Sequence, residues 1–219
     1  MASRPARSPR ESTRPDPARA EAAVAAFLEA LGLPPDVREG PDLAGTPRRV
    51  AEAWLDELAD GYRRDPAAIL AGALPGRSRD LVAVTGIDYV SVCPHHLLPS
   101  RGVAHVAYLP GGRLAGFGQL VKLVDALAHR LVLAEDLAAG VAAALEEHLG
   151  ARGAACVLEA EHLCLSTRGE RRPRARAHAE AFSGALAADG PARRRFMALC
   201  AGGGGARPAG RPGGKRARR

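Results

Sequence analysis

Between residues 80 and 186 the apolar residues change their period twice, and this pattern restricts the fold more than any other feature of the chain. DLVAVTGIDYVSVC (80–93) is rich in β-branched residues and reads as a strand. GVAHVAYLP (102–110) alternates and reads as its partner, with Gly111–Gly112 turning the chain afterwards. Two helices follow. Leu120, Leu123, Val124, Leu127 and Leu131 mark the first; Leu137, Val141, Ala144, Leu145 and Leu149 mark the second, with Gly150 as its stop. AACVLEAEHLCLSTRG (154–169) returns to strand character, and ARAHAEAFSGAL (175–186) supplies its partner. The order β-β-α-α-β-β over about 80–186 predicts an α+β domain with an antiparallel sheet.

Two helices are expected ahead of this unit, within 17–62. Ala20, Val24, Phe27, Leu28 and Leu31 follow helical spacing over 17–32, and Gly32 with Pro34–Pro35 ends that run. A second helix is expected after Gly45, with Thr46 as N-cap and Pro47 at the first position. Its inner face would be Val50, Trp54, Leu55 and Leu58, and Gly61 would stop it. A short helix is expected at 191–200.

Charge divides the chain differently. The net charge is +7, but residues 201–219 hold six basic groups and no acid, and 1–16 carry a further +2. The body, 17–200, is left at −1. The tails have too little apolar surface to bury and are expected to be disordered. They could touch nucleic acid weakly through phosphates, but a nucleic-acid-binding face should be basic on the fold itself. No run of ~18 apolar residues is present, which excludes a spanning helix. The N-terminus lacks the apolar segment of a secretory signal, so a cytoplasmic protein is expected. In a reducing compartment the four cysteines are expected in metal binding or packing rather than disulfides.

The chemistry concentrates in two places. Cys93, His95 and His96 lie in VCPHH at the end of the first strand, and His162 and Cys164 lie in HLC on the third. On a strand, His162 and Cys164 would share a face. Cys93 and His96, three apart across a turn, could meet one ion. Thiolate and imidazole suit Zn²⁺. We assign Cys93, His96 and Cys164 as ligands, although spacing by itself does not decide which three of the five groups bind. Three ligands leave one position for water, the mark of a catalytic site. His95 and His162 would then serve proton transfer near neutral pH. A lone Cys or His in a strand is usually a core residue, and the pairing of the two motifs is what weighs against that. Cys156 and Cys200 have no neighbouring His and read as packing residues.

These residues resemble a known family, GTP cyclohydrolase I. The matching stretches are GTPRRVAEAWLDELADGY (45–62), VSVCPHHLLPSRGVAHVAYLP (90–110), GFGQLVKLVDALAHRLVLAEDL (116–137) and EAEHLCLSTRGERRP (159–173). The resemblance implies the tunnelling fold and a homodecamer of two stacked pentamers, with active sites between subunits. It implies zinc on Cys93, His96 and Cys164, and catalytic roles for His95 and His162. It implies hydrolytic opening of GTP to 7,8-dihydroneopterin triphosphate and formate, the first step of folate and tetrahydropterin synthesis. Glu135 matches the carboxylate that holds guanine; Arg49, Lys122 and Arg168 match positions used for the phosphates. Without that context Glu135 would be a first-turn helix acid and each Arg a surface group.

The chain also departs from the family pattern. Pro94 stands where Glu is usual, Gly118-Gln119 where Ser-Lys touches the triphosphate, Lys122 where Arg is usual, and Ala134 where Gln lies beside the guanine carboxylate. The chemical centre is kept and the phosphate cradle is altered. Two other readings follow: a tunnelling-fold relative hydrolysing a different purine nucleotide, and a non-catalytic zinc-stabilised oligomer with nucleic-acid-binding tails.

Overall fold

The computed structural model describes residues 14–203. Most of both expected basic tails lies outside the described residues. Asp16, counted with the N-terminal tail, accepts from the Arg19 N–H at 3.0 Å and caps the first helix.

The helices before the sheet are α1 (Pro17–Ala30), α2 (Pro35–Arg38), α3 (Thr46–Ala53) and α4 (Pro66–Ala71). The helix expected after Gly45 is not one regular rod. Gly45, at φ 73°, occupies the N-cap in place of Thr46, and Pro47 falls in the first turn. α3 then widens into a π-helical segment, Trp54–Leu58, followed by a 3-10 turn, Asp60–Arg63. No residue of α1 is buried; Ala20, Val24 and Leu28 are half-buried at helical spacing, while Phe27 and Leu31 are exposed.

The sheet is formed by β2 (Val82–Val92), β3 (Pro99–Leu109), β5 (Gly153–His162) and β6 (Ala177–Phe182), in that order and antiparallel throughout. A two-stranded ribbon, β1 (Leu74–Pro75) with β4 (Arg113–Leu114), flanks it. α5 (Phe117–Ala128) and α6 (Ala134–Leu149) are inserted between β3 and β5. Alternation sends Ala104, Val106 and Tyr108 of β3, and Cys156 and Leu158 of β5, to the face that meets these helices. Leu120, Leu123, Val124 and Leu127 answer from α5, and Leu137, Val141, Leu145 and Leu149 from α6. Each such leucine, fully buried, contributes roughly 1.5–3 kcal/mol. Gly150 ends α6 in the left-handed region at φ 73°. The opposite sheet face is partly covered by α8 (Pro191–Gly203), with Phe196 fully buried against Ala107 and Ala155.

The third strand is shorter than the sequence pattern predicts. It stops at His162, and Leu163–Ser166 form one helical turn, α7. The Thr167 N–H and hydroxyl both donate to the Leu163 carbonyl, at 3.0 and 2.6 Å, and close that turn. Local backbone bonding has overridden an apolar run that reads as strand.

Candidate metal centre and active site

The β2–β3 hairpin carries the first half of the site. Residues 94–97 turn the chain: the Leu97 N–H donates to the Cys93 carbonyl at 2.9 Å, and the Cys93 N–H to the Leu98 carbonyl at 3.0 Å. Leu97 lies at φ 53°, a conformation uncommon for a leucine. This tight reversal folds His96 back, and its Nδ1 comes to 4.0 Å from the Cys93 sulfur. Cys93 is buried, whereas His95 and His96 are exposed, their rings edge-to-face at 6.3 Å.

The second half arrives from β5. Because Ser100 pairs with His162 in the β3–β5 register, the end of β5 lies beside the base of the hairpin. Cys164 is on α7 and not on the strand, so strand alternation is not what brings it to the site. The helical turn does so instead. One potential ligand atom from each of Cys93, His96 and Cys164 lies within 4.8 Å of the others, the one such group of three among the described residues. In a tetrahedral zinc site the donors stand about 3.5–3.8 Å apart, so a small contraction would complete it. Partial burial and the neighbouring Cys93 sulfur push the Cys164 thiol above its ordinary value. Two sulfurs held together resist joint ionisation, and a bound divalent cation removes that penalty. The donor set fits zinc.

His162 is held differently. Its Nδ1 is 2.8 Å from the hydroxyl of Ser100, a residue that is 1% exposed. That bond fixes the ring and leaves Nε2 outside it. The sequence did not single out Ser100, because only the strand register places it opposite His162.

The remaining candidates are spread more widely. Glu135 is exposed in the first turn of α6, and Lys122 is exposed on α5. Arg168 follows α7 and is close enough to favour the ionised form of Cys164. Arg49 turns back on its own loop, donating to the Ala44 carbonyl at 2.9 Å and to the Thr46 hydroxyl at 2.8 Å. Gly118 is open, but Gln119 is committed on both sides of its carboxamide. Its oxygen accepts from the Gly116 N–H at 2.8 Å, and its nitrogen donates to the Ile69 carbonyl at 2.7 Å. An open cleft of about 640 Å³ is lined by residues including Asp88, Arg101, His129, Glu159 and Glu161, and none of Cys93, His96 and Cys164 lines it.

A Cys-His-Cys group on a hairpin turn and a one-turn helix, flanked by two further histidines, is the pattern that the sequence resemblance implies. A family profile described as GTP cyclohydrolase I matches residues 20–201. The chain belongs to the GTP cyclohydrolase I family. The GTP cyclohydrolase 1 of Chromobacterium violaceum is 44% identical over 191 residues, covering 86% of this chain and 91% of that protein. That of Ralstonia nicotianae is 44% identical over 182 residues, covering 83% and 86%. That of Mycobacteroides abscessus is 42% identical over 186 residues, covering 84% and 89%. A crystal structure of an archaeosine synthase QueF-Like in the apo form overlaps 49% of this chain and 97% of its own, with TM-score 0.41 and 20% identity. Membership makes the chain an enzyme, a hydrolase of the GTP cyclohydrolase I type. No described helix is long and apolar enough to cross a membrane.

Proposed function

We propose that the chain hydrolyses GTP at C8 and rearranges it to 7,8-dihydroneopterin triphosphate and formate, with zinc held by Cys93, His96 and Cys164. The observation that carries this reading is the convergence of those three side chains beside His162. When bound, zinc supplies a Lewis acid that makes a water nucleophilic near neutral pH. The residues of the chain then do the rest. His162, its Nδ1 occupied by Ser100, presents Nε2 to protonate the imidazole nitrogen of the purine as C8 becomes tetrahedral. His95, exposed on the same turn, is the second proton carrier. Glu135 accepts from the guanine ring N–H and its 2-amino group, a bidentate match that adenine lacks. Arg49, Lys122 and Arg168 hold the triphosphate, with Gly118 and Gln119 at the edge of that cradle. Two waters are consumed in releasing formate, and closure of the new ring returns one.

The site calls for more than one subunit. The candidate side chains His95, His96, Lys122 and Glu135 are exposed in the single chain, and among the described residues β2 and β6 are the edge strands of the sheet, β2 bridged only at Val92. Both features suit a ring of the tunnelling fold, a decamer of two pentamers in the cytoplasm, with each pocket closed by a neighbour. The test of the function is product analysis after mixing the zinc-loaded protein with GTP. Formate and a pterin that fluoresces after oxidation are expected; neither appearing would overturn it.

One observation favours a second reading. Gln119 spends its carboxamide on the fold, so the family's lysine-to-phosphate contact has no replacement there. A purine nucleotide with fewer phosphates would not need it. Faster turnover of GMP than of GTP would decide for that alternative.

A further inference from the structure

The segment joining α5 to α6, residues 129–133, links two parts of the proposed site. At one end it is fastened to the metal turn: the Val132 N–H donates to the Val92 carbonyl at 3.3 Å, and Leu131 bridges Val92, the residue before Cys93. At its other end Leu133 is the N-cap of α6, so Glu135 follows within two residues. The path of this segment therefore sets where a guanine-binding carboxylate stands relative to the metal.

The 3-10 turn after α3 holds the segment. The Gly61 N–H donates to the His129 carbonyl at 3.0 Å. The Leu131 N–H donates to the Tyr62 hydroxyl at 3.1 Å. Arg130 donates to the carbonyls of Gly61 at 3.1 Å and Arg64 at 3.2 Å, and its guanidinium lies 5.9 Å from the Tyr62 ring centre. A Cβ on Gly61 would stand 2.5 Å from the carbonyl oxygens of both Ala126 and His129, so only glycine permits this approach. The side-chain anchor is His129, whose Nδ1 is 2.8 Å from Oδ1 of Asp60. Asp60 is 7% exposed and also paired with Arg64. An ionised carboxylate only accepts, so the imidazole donates from Nδ1.

Resting on the reading of Glu135 given above, we infer that His129 is a positioning residue for guanine recognition. Through Asp60 it holds the 129–133 segment so that Glu135 meets the base at a fixed distance from the metal turn. In this role His129 acts through the segment and not on the base itself. A displacement of Glu135 by a fraction of an ångström would cost the second of its two hydrogen bonds to guanine, the one to the 2-amino group. Inosine triphosphate lacks that group and would be affected less.

Steady-state kinetics of the zinc-loaded full chain with guanosine and inosine triphosphates tests this. In the unmodified protein kcat/KM is expected to favour the guanine nucleotide, and Glu135→Ala is expected to bring the ratio close to one. His129→Ala is expected to lower the ratio on the order of 10-fold, chiefly through KM for GTP, with zinc content unchanged. His129→Asn, whose amide nitrogen falls near the place of Nδ1, is expected to restore most of it. Should His129→Ala fail to fold, His129→Gln reads the same ratio, because it keeps bulk but carries its donor one bond too far. Equal losses on both nucleotides, without rescue by Asn, would overturn the inference and leave a structural role only. If Glu135→Ala itself leaves the ratio unchanged, the guanine assignment fails, and this inference with it. A ratio that collapses in Glu135→Ala but not in His129→Ala overturns the inference alone.

Discussion

The hairpin turn at 93–98 and the start of α5 at 116–119 are both expected to face the substrate, and the fold treats their polar groups in opposite ways. At the turn, backbone bonds close the loop by themselves, through Leu97 to Cys93 and Cys93 to Leu98. The side chains of Cys93, His95 and His96 are left for chemistry. At α5 the N-cap is Gly116, which has no side chain to offer the helix. Gln119 reaches back to accept from the Gly116 N–H and donates to the Ile69 carbonyl of α4 with its other end. The Gln119 carboxamide is tied up on both sides by backbone groups, whereas the side chains of the turn are not needed to close it.

The strongest way to test the first half of this comparison is to remove a ligand. Cys164→Ala is expected to abolish turnover and to lower bound zinc, while the fold survives, because Cys164 belongs to neither core cluster. Zinc content by atomic absorption and the far-UV circular dichroism spectrum check it. Full activity with one zinc retained per chain would mean the ligand set is wrong.

His162→Ala sharpens the division of labour within the same region. Zinc should remain and the rate should fall ~10²–10⁴-fold, the reach of acid–base catalysis. Ser100→Ala should fall on the order of 10-fold, since one orienting hydrogen bond is lost. A metal-free His162→Ala protein would instead place that imidazole among the ligands.

Gln119→Lys probes the other half. Two hydrogen bonds of the carboxamide are lost or weakened, which should cost about 1–2 kcal/mol in stability, read as a lower melting temperature. The new cation should lower KM for GTP with little change in kcat, because a phosphate contact is remote from C8 and binds ground and transition states alike. An unchanged melting temperature would show that α5 does not need the carboxamide.

The smallest effect is expected away from both regions, on the sheet face opposite the helices. His105 is buried, its Nδ1 has no hydrogen-bond partner among the described residues, and burial lowers its pKa against a weaker upward pull from Glu159. A base with a depressed folded pKa favours the native state only while neutral. Its contribution is therefore intact above its unfolded pKa of about 6.5 and is lost as pH falls towards the folded value. His105→Gln should flatten the dependence of melting temperature on pH below that point, and an unaltered slope would remove His105 from the account.

Much of this protein was legible in one dimension. The periods of the apolar residues place four strands and two long helices, because the face that a residue presents is a local property of helix or strand. The candidate metal-binding group is legible too, since thiol and imidazole at those spacings have few other reasons to occur together, and the three side chains do come together. Other features were decided only by the folded chain. Cys164 reaches the site because Leu163–Ser166 coil where the pattern reads as strand. Ser100 serves His162 because of the β3–β5 register. Gln119 is withdrawn into a helix cap. Gly61, which in sequence reads as a helix stop, is the point where one turn presses against the α5–α6 segment. All four depend on which backbone donors and acceptors lack a partner once the chain is compact, and that is settled between segments distant in sequence.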